Sequence, residues 1–103
     1  MRIFLGSPSV RPAVTGNAVT AERWARGLEA RGHACSVVGI DAGWTERDFL
    51  AAVDAVRPDV IHLHHALRCG RFVEVARTRA AVVVSFAGTD LSGEAREDVV
   101  RAA

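Results

Sequence analysis

Apolar residues fall into four short runs rich in branched side chains, at positions 2–5, 35–40, 60–63 and 81–86. Runs of this length bounded by polar and turn-forming residues predict β-strands. Between them the apolar positions take up helical spacing. In the first such stretch Ala18, Ala21, Ala25 and Leu28 share one face, and Gly32 supplies the expected C-terminal stop. The second opens at Thr45 with Asp48 three residues on, a capping-box-like pair. It aligns Phe49, Val53 and Val56 and has to end before Pro58. A third helix is predicted over 70–79. A fourth, from about Ser92, brings Ala95, Val99 and Ala103 together and runs to the last residue.

Strands alternating with helices of this size imply right-handed βαβ crossovers. The predicted class is therefore α/β: a Rossmann-like open parallel sheet of about four strands with helices on both faces. Strands that are apolar throughout, rather than alternating, agree with a sheet buried on both sides. At 103 residues the chain is a single domain, 1–103. It is expected to bury on the order of 65% of its unfolded surface, so no metal or disulfide staple is required. There is no linker, repeat or low-complexity tract. A pattern that closes on an amphipathic helix with no strand after it is expected to belong to a larger unit. It is also expected to leave an apolar sheet edge open to self-association.

Charge and cysteine content then narrow the function classes. Thirteen basic groups, every one an Arg, face twelve acidic ones for a net charge of +1, which argues against nucleic acid as a ligand. Cys35 and Cys69 lack CxxC spacing and read as two reduced, largely buried thiols, in keeping with a cytoplasmic setting. No apolar run reaches the ~18 residues of a membrane span, and the first run is too short for a signal-peptide core.

Ligands of open parallel sheets bind outside the carboxyl ends of the strands, and three unusual polar segments are predicted there. The first, residues 7–17, is long for a βα connection. It ends at a helix N-terminus where Gly16 permits close backbone approach and unpaired N–H groups suit phosphate or carboxylate. It reads equally as a surface loop with Asn17 or Thr20 as a plain helix cap. The GxGxxG dinucleotide fingerprint is absent.

The second segment, 59–66, crowds His62, His64 and His65 at the end of the third strand. Alternation puts His62 and His64 on one side and turns His65 away. A metal would need a further ligand, and Asp90 and Cys69 are isolated candidates, so no metal site is predicted. His62 reads as a buried histidine satisfied by backbone, whereas His64 and His65 at the strand terminus suit hydrogen bonding to a ligand. The third segment, 86–90, stands in the matching place after the fourth strand and reads by itself as a Gly-containing turn.

Taken together, residues 15–25 (TGNAVTAERWA), 31–33 (RGH), 58–66 (PDVIHLHHA) and 88–91 (GTDL) resemble the N-terminal domain of GT-B glycosyltransferases of family 4. The opening is most similar to the branch that includes selenosugar synthases, with Phe86-Ala87 where that branch more often has Leu-Thr. The resemblance covers the first part of the first of two domains. It implies retaining transfer of a sugar from a nucleotide-sugar donor to an acceptor, without an essential metal or resident cofactor. It further implies that His64 is catalytic, approaching the donor sugar, and that Gly16, Asn17, Thr20, His65, Arg68, Gly88, Thr89 and Asp90 contact substrate. The family's basic donor-binding residue and paired glutamates belong to a C-terminal domain in the same or another chain. A non-catalytic α/β binding or interaction module is the other class the sequence supports.

Overall fold

A computed structural model describes residues 1–10 and 15–86. Four strands, β1 (Arg2–Ser7), β2 (Ala34–Gly39), β3 (Val60–His64) and β4 (Ala81–Ser85), form one parallel sheet in the order β2-β1-β3-β4. Helix α1 (Gly16–Ala30) joins β1 to β2, and α2 (Glu46–Val56) joins β2 to β3. The third connection is a broken helical run of α3 (Ala66–Cys69), a 3₁₀ turn (Gly70–Phe72) and α4 (Val73–Ala76). The chain is thus an α/β protein with a Rossmann-like open sheet. The helix expected from Ser92 and the turn expected at Gly88, Thr89 and Asp90 fall outside the described residues.

Each helix terminus has a sequence cause. Thr15 caps α1, its Oγ1 accepting from the Ala18 N–H at 3.1 Å, so neither Asn17 nor Thr20 is the cap. Past the Arg31 C-cap the chain closes with His33 N–H to Leu28 C=O and Gly32 N–H to Glu29 C=O. Gly32 takes the left-handed φ of +89° that this Schellman closure demands. Thr45 and Asp48 form a reciprocal capping box at the head of α2. At its tail Arg57 sits at φ 52°, because a residue before proline is kept out of the right-handed helical region.

The third helix departs from expectation, starting four residues earlier than predicted and breaking twice. His65 adopts a left-handed φ of 72°, so the chain turns from β3 straight into α3, the His65 carbonyl accepting from Arg68 and Cys69. Gly70, a poor helix former, marks the tightening into the 3₁₀ turn. There Phe72 is drawn into the core and stacks on Phe49 at 4.7 Å.

Alternation along the strands splits the interior in two. On one side Phe4, Ile61 and Leu63 pack with Phe49, Val53, Cys69, Phe72 and Ala76 of the helices. A Cβ on Gly6 would come within 2.5 Å of Ile40 Cδ1, so any larger residue at that crossing requires the end of the Ile40 side chain to shift. On the other side α1 lays Ala21 and Ala25 on Leu5, flanked by Trp24, Cys35 and Val37. Cys35 and Cys69 therefore lie on opposite faces of the sheet. Both are free thiols, and burial, followed by the Glu29 carboxylate, pushes the Cys35 pKa up.

Candidate functional site

The strand order contains one reversal. From β1 the chain crosses to β2 on its one side and then returns past β1 to β3 on the other, so β1 and β3 flank the switch point. Loops leaving the carboxyl ends of two such strands diverge to opposite faces and open a crevice between them, which is where ligands of this sheet type bind.

The crevice wall from β1 is rich in hydroxyl groups. Ser7, fully buried at the strand end, donates from Oγ to the Ser9 carbonyl at 2.7 Å, and the Ser9 hydroxyl meets that of Thr15. The head of α1 follows directly. Its first N–H groups, at Gly16 and Asn17, have no intrahelical acceptor and carry the positive end of the helix dipole. A Cβ at Gly16 would project into open space, so internal packing makes no demand for glycine there. Thr20 lies one turn further along, half-buried.

The wall from β3 holds the histidines, and here burial differs from expectation. His62 is not satisfied by backbone: it is only partly buried, and its Nε2 meets the hydroxyl of Ser85 at 2.9 Å. His64 is the more enclosed of the two, 3% exposed, with Nδ1 3.0 Å from the same hydroxyl. Both rings do lie on one side of the sheet, as alternation requires. Trp24 of α1 covers both, stacked on His62 at 4.8 Å and edge-on to His64 at 4.9 Å. Burial pushes the His62 pKa below its ordinary 6.5, and the neighbouring His64 adds to that shift. His65 is also buried, and its N–H donates to the Ser85 carbonyl at 3.0 Å, extending the β3–β4 pairing by one bond. Arg68, on α3, is exposed.

Two of the side chains that organise this end of the sheet were not singled out from sequence. Ser85 pairs with His64 in the β3–β4 register, so aligning the ends of the two apolar runs would have found it. Trp24 stands in the RWA motif beside the apolar face of α1, and only docking of the helix shows that it covers histidines. Arg71 is a third such residue. Its guanidinium donates to the carbonyls of Trp44 and Asp41, each at 2.8 Å, and ties the β2–α2 loop to the 3₁₀ turn while lying over the Phe72 ring.

Among the described residues no three His, Cys, Asp or Glu side chains converge in a way that could hold a metal ion. No helix among them is long and apolar enough to cross a membrane. A hollow of about 240 Å³ lies at the opposite end of the sheet, between Val53, Asp54, Arg57, Pro58 and Arg79. Its polar groups include an exposed Asp54–Arg79 ion pair at 2.9 Å, and it stands apart from the strand carboxyl ends. No protein-family model matches the chain, and no curated protein matches it. Fold and local geometry define an α/β protein of the Rossmann-like class, with polar side chains gathered at the carboxyl ends of its strands.

Proposed function

We propose that this chain is the acceptor-side, N-terminal part of a retaining glycosyltransferase of the GT-B kind, working in the cytoplasm. It acts together with a donor-binding domain on the same or another chain. The observation that carries the reading is that the β1–α1 loop, His64–His65 and Ser85 all stand at the carboxyl ends of the strands, with β1 and β3 flanking the switch point. In this reading the Gly16–Asn17 helix head receives a diphosphate or acceptor oxygen, and Asn17, Thr20, His65 and Arg68 line the acceptor side. His64 faces the donor sugar. Gly88, Thr89 and Asp90, to which the family resemblance also gives a substrate role, lie outside the described residues. No metal or resident cofactor takes part.

The reading is tested by assaying transfer from UDP-glucose and GDP-mannose by the chain alone and by the chain with the donor-binding domain encoded in frame or beside it. The chain alone is inactive, because the second wall of the cleft and its basic groups are missing. In the two-domain protein His64→Ala lowers kcat/KM per folded molecule by roughly 10²-fold, about 2.7 kcal/mol. Turnover by the chain alone, or a gene context without such a domain, overturns the proposal.

One observation favours the second reading, a non-catalytic binding or interaction module: His62 and His64 are engaged with Ser85 and Trp24, a use that holds α1 to the sheet. In that case His64→Ala lowers the melting temperature and alters nothing else. Either reading leaves Val83, 49% exposed on β4, as a place for self-association, which light scattering at high concentration measures.

A further inference from the structure

The hollow at the amino ends of β3 and β4 is lined by Val53 and Asp54 from the last turn of α2, by Arg57 and Pro58 from the turn into β3, and by Arg79 just ahead of β4. Val53 and Pro58 give it an apolar lining, and its three charged residues sum to +1. Asp54 is already engaged: its Oδ1 accepts from Arg79 Nε at 2.9 Å. Arg79 also donates to the Thr78 hydroxyl at 3.2 Å, so its guanidinium is held in place with donors to spare out of five. Among the described residues the Arg57 guanidinium has no ion-pair or hydrogen-bond partner.

Arg57 is also where the backbone is strained, at φ 52° and ψ 60°. Pro58 bars the right-handed helical region but leaves extended backbone open, and a left-handed cap is made more cheaply by glycine or asparagine. The carbonyl end of α2 favours a cation, yet a basic side chain one turn earlier would serve it without strain. Strain beside a hollow, on a residue with an unpaired guanidinium, is the pattern of a ligand clamp. We propose that the hollow binds a small organic acid, its carboxylate on the Arg57 and Arg79 guanidiniums and its short apolar body against Val53 and Pro58. At about 240 Å³ it is smaller than the roughly 300–1,000 Å³ of pockets that enclose drug-sized ligands, which limits the size of the acid. Asp54 keeps the lining charge at +1, a match for a monocarboxylate and a poor one for a phosphate dianion. The site lies away from the strand carboxyl ends, so it stands or falls independently of the glycosyl-transfer reading.

Titration of the 103-residue chain with isobutyrate, followed by backbone ¹H–¹⁵N shifts, tests this. The expected result is saturable shifts around Asp54, Arg57 and Arg79 in the millimolar range. They are absent with isobutyramide, which has the shape without the charge, and weaker with inorganic phosphate. Arg57→Gly lowers the affinity for isobutyrate about tenfold or more, the worth of a charge-assisted contact, while its melting temperature does not fall, because glycine relieves the left-handed φ. Arg57→Gln loses affinity alike. Arg77→Gln, at an exposed arginine outside the hollow that lies 3.7 Å from Glu74, binds as the parent does. The proposal is overturned by isobutyrate shifts that do not saturate, by equal binding of isobutyramide, by parent affinity in both Arg57 variants, or by an equal loss in Arg77→Gln. Tighter binding of phosphate overturns the ligand class, and a lower melting temperature in Arg57→Gly overturns the argument from strain.

Discussion

The two faces of the sheet are built from the same strands and do different work. Residues of β3 alternate Ile61 and Leu63 toward α2 and α4, and His62 and His64 toward α1. The first face is filled by three aromatic rings, Phe4 edge-on to Phe49 and Phe49 stacked on Phe72, with branched side chains around them. The second has small side chains, Ala18, Ala21 and Ala25, that let α1 settle close to the sheet, and one large one, Trp24, that reaches over the imidazoles. Dense apolar packing is stable but chemically inert. A face with two imidazoles and a hydroxyl gives up some apolar burial and gains groups that can donate and accept protons. The difference teaches where this small protein keeps its stability and where it keeps its chemistry.

Substitutions on the two faces break or sharpen that comparison. The largest effect belongs to Phe49→Ala, which removes a fully buried ring from between two others and costs about 3–5 kcal/mol in denaturant unfolding. A loss below about 1 kcal/mol would mean that this face is not the stable one. On the other face His62→Ala costs about 1–3 kcal/mol, from the cavity under Trp24 and the lost bond to Ser85.

Acidity probes the same histidine. Its folded pKa lies below the ordinary 6.5, so the folded protein resists protonation while the unfolded chain accepts it. Stability present above pH 6.5 is therefore lost as pH falls from there through the folded pKa, and melting temperature drops over that window. His62→Phe, which keeps a ring against Trp24 and has nothing to titrate, makes the drop shallower; an equal drop in the variant would assign it to other groups. The smallest change is Val83→Thr, at a position half open to solvent on the α1 face, which stays within about 0.5 kcal/mol of the parent on the same denaturant curve.

Much of the fold could be read along the chain because its causes are local. The box at Thr45 and Asp48, the glycine at 32 and the proline at 58 each act on neighbours within a few residues, and they set the helix ends where they were expected. The third helix could not be read this way. Its early start depends on a left-handed His65 and its breaks coincide with Phe72 and Arg71 reaching distant partners, so tertiary contacts outweighed local propensity.

The sequence by itself determined the α/β class, the parallel strands, and the placing of His62 and His64 on one face, since a period of two permits no other arrangement within a strand. Tertiary structure decided which histidine is more deeply enclosed and what each one touches. The partners of those rings, Ser85 and Trp24, lie more than 20 residues from them along the chain, and strand register and helix docking alone bring them within hydrogen-bonding and stacking distance. A histidine's burial and proton state belong to that assembled neighbourhood, and neither the residue nor its place in a motif contains them.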